Sequence, residues 1–199
     1  MFDNGYYAAP AIMILTIGIS LLGMYRLPGL VNKFLFRPYF FFREKQYDTM
    51  IMSGFIHADL THLLFNMITF YFFAIPMERF LGTTAFVVLY FAGLVLSHSC
   101  TWFKERQNPR YASLGASGAI SAVLFAFIVY FPMTMIYVFF IPMPALLFAF
   151  LYVGYSWWAS RNAQDNINHD AHLCGALSGW GFVAVTDPGA FSRLLSELT

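Results

Sequence analysis

Gly115-Ala116-Ser117-Gly118, followed by the uncharged run Ala119 to Phe131, is the stretch on which the reading of this chain turns. It follows a polar, basic segment, Lys104 to Arg110, and stops before Pro132. A serine flanked by glycines opens a helix that has little other use for polarity. Such a hydroxyl is either inert or a nucleophile, depending on whether a base reaches it. The predicted helix, about 117–131, is short for a bilayer span. It is therefore expected to start below the membrane surface, with the loop before it dipping in. Irregular backbone is tolerated at that depth only where protein or a water-filled cavity surrounds it.

The composition demands a membrane. Of 199 residues, 59% are hydrophobic and 11% charged, with 24 Phe, and the mean hydropathy is +0.63. Soluble domains carry roughly 25% charged residues, so lipid must cover this surface. A net charge of +1 argues against a nucleic-acid partner. Cys100 and Cys174 both fall in apolar segments at long spacing. They predict neither a disulfide framework nor a thiolate metal site. The first residues lack a basic region, so the first apolar stretch reads as a span rather than a cleaved signal.

Outward from the serine, the pattern predicts one all-α membrane domain over 1–199 with six spans, at about 6–25, 60–77, 82–103, 117–131, 144–159 and 171–186. Leu27 to Ser53 mixes Lys33, Arg37, Arg43 and Lys45 with a dense set of Phe and Tyr. An apolar body with basic tips fits an element partly sunk in the headgroups. Pro132, Pro142 and Pro144 divide the uncharged region from Tyr111 to Ser160 into two helices. The second of these carries Phe148, Phe150, Tyr152, Trp157 and Trp158 and shows no polar tie to its neighbours.

Polar groups at membrane depth are costly and default to a functional reading, although each alone is more often a satisfied interhelical hydrogen bond. His62 and Asn66 are four residues apart and share one helix face. His172, Gly175 and Gly179 form another such face, whose glycines admit a close neighbour. The fourth helix has its own small residues, Gly115, Ser117, Gly118 and Ser121. Packing of these two faces would bring Ser117 to His172, and a neutral imidazole can take a serine proton. Asp170, two residues from His172, does not face it and reads as a helix-start residue. The pattern therefore requires only a dyad. Oxyanion donors would come from the helix N-terminus, the Asn66 amide and the His62 ring.

Three motifs carry a resemblance: His57-Ala58-Asp59-Leu60-Thr61-His62-Leu63-Leu64-Phe65-Asn66, Gly115-Ala116-Ser117-Gly118, and Ala171-His172-Leu173-Cys174-Gly175-Ala176-Leu177-Ser178-Gly179. In this order, on the second, fourth and sixth apparent spans, they are similar to the rhomboid intramembrane serine proteases, over about Leu27 to Asp187. The resemblance implies a six-helix bundle with a partly embedded first loop. It implies Ser117 as nucleophile, His172 as general base and then acid, and Asn66, His62 and the Ser117 amide as oxyanion hole. His57, Gly115, Gly118, Gly175 and Gly179 take structural roles. Glu78, in Glu78-Arg79-Phe80-Leu81-Gly82, is implied to tie down the first loop. The implied substrates are membrane-spanning proteins cleaved in or near the bilayer, without metal or cofactor. Three departures stand out, the first being Leu114 before Gly115, where many members have a second glycine. Tyr47-Asp48 lies where the family often has Trp-Arg. Ser121 replaces the aromatic, four residues after the nucleophile, that often stacks on the catalytic histidine, so His172 must be held another way.

The expected location is a bacterial inner membrane, as a multi-pass protein with its active-site mouth facing outward. The charge pattern opposes that orientation: nine Lys and Arg lie in the first, third and fifth loops against two on the other side. Two further readings compete with the dyad. Zinc held by His57, His62, His169 and His172 meets poor spacing and no H-E-x-x-H. A catalytically weak or inactive rhomboid-like binding or chaperone protein must explain why both serine and histidine are retained. The sequence carries no signal for an oligomeric state.

Overall fold

The computed structural model describes residues 6–138, 140–163, 165 and 167–197. The chain enters through helix α1 (Ala8–Tyr25). The first loop follows as three short helices, α2 (Pro28–Phe34), α3 (Pro38–Phe41) and α4 (Thr49–Met52), and a 3-10 turn at Ser53–Phe55. Prolines open α2 and α3, where the missing N–H would be unpaired in any case. Next come α5 (Leu60–Leu81) and α6 (Thr83–Glu105). Helix α7 (Ser117–Tyr130) leads to two strands, β1 (Met135–Val138) and β2 (Ile141–Pro144). Helices α8 (Ala145–Asn162), α9 (His169–Thr186) and α10 (Gly189–Ser196) complete the described chain.

Three helices, α1, α5 and α6, are long and apolar enough to cross a membrane by length and composition, while α7 is a shorter apolar helix. At 1.5 Å per residue the 14 residues of α7 span only about 21 Å. Every α7 residue from Gly118 to Val129 is buried, as befits a helix that is apolar all round. It stands at the centre and packs most extensively against α9 and α6.

Small residues set those approaches. A β-carbon on Gly175 would lie 2.2 Å from the Gly118 carbonyl oxygen, and one on Gly179 would lie 2.1 Å from that of Ala122. A β-carbon on Gly93 of α6 would meet the Ala122 β-carbon at 2.4 Å. The three backbones are thus nearer than larger side chains permit. Around them, Phe70, Phe86, Leu89, Tyr90 and Leu94 join Ala119 and Val123 in one core, and Leu124, Phe125 and Ile128 meet Ala145, Ala149 and Ala176 in another.

Four expectations are corrected here. The fold is not purely helical: β1 and β2 pair antiparallel with Met135 opposite Pro144 and Val138 opposite Ile141, so Pro142 and Pro144 sit in a short edge ladder rather than only at helix ends. Helix α5 continues through Pro76 and Glu78 to Leu81. Glu78 can stay in the helix, fully buried, because its carboxylate accepts the Ala8 and Ala9 amides at 2.9 and 2.7 Å and the Thr83 hydroxyl at 2.8 Å. It therefore caps the start of α1, where a negative charge meets the positive end of the helix dipole, and among the described residues it makes no hydrogen bond to the first loop. Finally, Cys100 of α6 and Cys174 of α9 are joined by a disulfide.

The first loop is held to the segment before α7 by backbone. Phe36 and Ser113 exchange both N–H to carbonyl bonds at 3.0 Å, and the Gly115 amide donates to the Ser53 carbonyl at 2.8 Å. Phe36 itself is buried against the His98 ring, 4.7 Å away between centroids.

Candidate active site

The site begins at Gly115. Its φ of +107° is a left-handed conformation that disfavours side chains. A β-carbon there would lie 2.8 and 2.9 Å from His62 Cε1 and Nε2 and 3.8 Å from Asn66 Nδ2. Two side chains of α5 therefore face the backbone that delivers Ser117. Their spacing requires it, since residues four apart share a helix face. Asp59 fixes where that face starts by accepting the His62 amide at 2.8 Å as the α5 cap.

Asn66 is 7% exposed, and its Nδ2 has no hydrogen-bond partner among the described residues. Buried amide donors are nearly always paired. This one points at the turn into α7, where the Ser117 and Gly118 amides belong to the helix-start N–H groups that no intrahelical carbonyl reaches. Donors from two helices thus converge on one small region.

His57 organises the same turn from behind. The Ala116 amide donates to its Nε2 at 3.5 Å, and its Nδ1 lies 3.0 Å from Ser20 Oγ, whose hydroxyl donates to the Phe55 carbonyl at 3.0 Å. These partners assign the ring proton to Nδ1. Burial pushes the imidazole down to about 3, with the neighbouring His62 adding to the effect and Asp59 opposing it.

His172 approaches from α9. A β-carbon on Gly118 would lie 3.5 Å from the Ala171 carbonyl oxygen, so the Ser117–Gly118 backbone lies against the Ala171–His172 backbone. Neither the Ser117 hydroxyl nor the His172 ring is hydrogen-bonded among the described residues, and both are half-buried. The start of α9 is tied to the end of α6 on both sides of His172. Asn168 caps α9 by accepting the Ala171 amide at 3.0 Å and donates its own Nδ2 to Thr101 Oγ1 at 2.9 Å. Asp170, in the first turn as expected, pairs with Lys104. Cys174 bonds to Cys100.

Sequence reasoning misses two members of this environment. The disulfide escapes because spacing along the chain says nothing about two apolar cysteines on different helices. The other is Tyr152 of α8, whose hydroxyl lies 2.7 Å from Ser121 Oγ and whose ring stacks on His172. The expectation that α8 has no polar tie to its neighbours is thereby corrected. A polar cleft of about 220 Å³ opens at the adjoining loop end, lined by Lys104, Tyr111, Asp165, His169 and Asp170 among others, but not by Ser117 or His172. Burial raises the Tyr111 phenol above its usual range. The Ile167 amide, donating to Asp165, holds that carboxyl below its own. Among the described residues, no three His, Cys, Asp or Glu side chains converge as a metal ion would require.

The arrangement resembles known proteins in sequence. RHOMBOID-like protein 12, mitochondrial, of Arabidopsis thaliana is 32% identical over 151 residues, covering 68% of this chain and 45% of its own. Rhomboid protein 1, mitochondrial, of Saccharomyces cerevisiae is 28% identical over 175 residues, covering 83% and 50%. The human Presenilin-associated rhomboid-like protein, mitochondrial, is 31% identical over 144 residues, covering 67% and 36%. The chain spans half or less of the length of these relatives. Their mitochondrial names overturn the expectation of a bacterial inner membrane. The Rhomboid domain family matches residues 44–187, which include every motif residue from His57 to Gly179. With its glycine-packed α7 and α9 and the α5 amide aimed at the serine turn, this chain belongs to the rhomboid family.

Proposed function

We propose that this chain is an intramembrane serine endopeptidase that hydrolyses peptide bonds in or near the transmembrane segments of membrane proteins, in a mitochondrial membrane. The observation that carries the proposal is the convergence at Gly115–Gly118. An unpaired, buried Asn66 amide and the His62 ring face the turn from α5, free helix-start amides surround the serine, and the His172 turn abuts it from α9. Helices α1, α5, α6, α7, α8 and α9 are the six proposed spans, with the first loop resting in the headgroup layer.

In this reading neutral His172 takes the Ser117 proton as the oxygen attacks the scissile carbonyl. The carbonyl oxygen becomes an oxyanion held by the Ser117 amide, Asn66 and His62. Collapse breaks the C–N bond, and His172 delivers its proton to the leaving amine. Water then attacks the acyl-serine with His172 as base, releasing the new carboxylate and restoring the serine. Ser117 and His172 close to hydrogen-bond distance in the substrate complex, as catalytic pairs do when they tighten on binding. No metal or cofactor takes part. Helix α8 is the proposed lateral gate: Phe150, Leu151, Tyr155, Trp157 and Trp158 are exposed on its outer surface.

The test is cleavage of a single-pass membrane substrate by purified protein, comparing wild type with Ser117→Ala and His172→Ala. Loss of cleavage in both folded variants supports the dyad. Cleavage surviving Ser117→Ala sinks it. A wild type that neither cleaves nor reacts with a fluorophosphonate at Ser117 leaves a non-catalytic rhomboid-like binding protein as the reading.

A further inference from the structure

His172 has no hydrogen-bond partner to orient it among the described residues, and the position four residues after the nucleophile is Ser121, which offers no ring. The His169 ring meets the imidazole edge-on, 5.9 Å away between centroids, but no hydrogen bond fixes it, so a base in place for each turnover must be held by packing. Tyr152 of α8 fills that space. Its ring stacks on the imidazole with centroids 6.2 Å apart and planes inclined by 28°, within the range of offset ring pairs. Its hydroxyl meets Ser121 Oγ at 2.7 Å, and Phe125 and Phe148 flank the ring at 5.4 and 5.6 Å. Ser121 is buried in the tight contact between α7 and α9, where a β-carbon on Gly175 would meet its own β-carbon at 3.0 Å. A small residue is needed at that contact, and its hydroxyl anchors a ring that arrives from the neighbouring helix.

Resting on the dyad reading, we propose that Tyr152 is the positioning residue for His172, with its ring delivered by α8 and pinned by Ser121. Two consequences follow. The imidazole is oriented only while α8 is seated against α7, so the helix that gates the site also aligns its base. And the Tyr152–Ser121 bond, the one side-chain hydrogen bond from α8 to another helix among the described residues, sets how firmly α8 is seated.

The experiment uses the full chain in detergent, reading both turnover of a fluorogenic single-pass substrate and the rate of Ser117 labelling by a fluorophosphonate. Tyr152→Ala is expected to lower kcat and the labelling rate by about 10- to 100-fold, the scale of a misplaced catalytic group, with KM little changed. Tyr152→Phe keeps the ring but loses the Ser121 bond, and both rates are expected to fall between those of wild type and Tyr152→Ala. Tyr152→Leu, which fills similar space without a π face, is expected to lower both rates as Tyr152→Ala does. A purely structural role would leave the Leu variant near wild type, and the Leu variant carries the test alone if Tyr152→Ala does not fold. Wild-type labelling in the Ala or Leu variant, with Ser117→Ala dead, overturns the positioning role and leaves the dyad standing. Cleavage that survives Ser117→Ala overturns the dyad instead.

Discussion

The buried Asn66 amide nitrogen faces the Gly115 backbone, 3.8 Å from where a β-carbon would stand, and bonds to nothing among the described residues. An unpaired buried donor costs a folded protein about 1–3 kcal/mol. A structural asparagine would be expected to find a partner, whereas an oxyanion donor finds one only as the tetrahedral intermediate forms. The two roles predict opposite effects on stability. Asn66→Leu is expected to keep or raise the melting temperature while lowering kcat about 10²–10³-fold, the usual effect of losing one oxyanion donor. A large fall in melting temperature together with retained cleavage would mark Asn66 as structural.

The α7–α9 contact predicts a graded glycine series. An alanine β-carbon at Gly175 or Gly179 would lie 2.2 or 2.1 Å from a backbone carbonyl oxygen, which cannot swing away. Each substitution must push the two helices apart, and overpacking of this kind costs about 1–3 kcal/mol. Because Gly175 sits one turn and Gly179 two turns from His172, activity should fall further than stability, and further at Gly175. Gly154 of α8 and Gly181 of α9 have nothing within 4 Å of the added carbon. Alanine there should be neutral or stabilise by up to about 1 kcal/mol. Parallel melting and cleavage curves for the four variants check the ordering.

These contrasts show what a sequence makes legible. His62 with Asn66, and His172 with Gly175 and Gly179, are readable as faces because helix periodicity places residues three and four apart together. Which faces meet was readable too, since glycines mark where backbones approach. Relations between helices without such marks were not. Nothing along the chain links Tyr152 to Ser121, or Cys100 to Cys174, because each pair is created by helix packing. The strand pair Met135–Val138 and Ile141–Pro144 was hidden for another reason: a short apolar run such as Met135–Val138 fits strand and helix alike, and the prolines of the second strand read first as helix ends. Glu78 misled through its charge, which looked like a span boundary until the α1 amides supplied its partners.

The Cys100–Cys174 bond closes a separation of 74 residues between α6 and α9. Cross-links over long loops restrict the unfolded chain most, and losing a native one typically costs about 2–4 kcal/mol. The bond also fixes α9 two residues beyond His172. The Cys100→Ser/Cys174→Ser double variant, or wild type treated with reductant, should melt at lower temperature and lose cleavage before it loses helical signal. Alkylation before and after reduction, read by mass, checks that two thiols appear only on reduction. Free thiols in the untreated protein would contradict the bond.

His57 predicts how the fold responds to acid. Its imidazole is fully buried, and burial, with His62 beside it, holds it down at about 3 against an ordinary 6.5, while Asp59 pulls the other way. The folded state therefore favours the neutral ring, and the unfolded chain binds the extra proton. The associated stability is fully present above about pH 6.5 and is lost as pH falls toward 3, at a slope of about 1.4 kcal/mol per pH unit for this one group. The bond from the Ala116 amide explains why protonation is so damaging. A proton on Nε2 would face that N–H donor directly and release the turn that carries Ser117. His57→Gln, neutral at every pH, should lower stability at neutral pH, since Ser20 and Ala116 lose a fitted partner, yet reduce the acid slope by one proton's worth. Melting temperatures from pH 8 to 4 for wild type and variant measure both effects. Parallel curves of equal slope would show that His57 titrates as freely in the folded protein as in the unfolded chain, and that the turn is held without it.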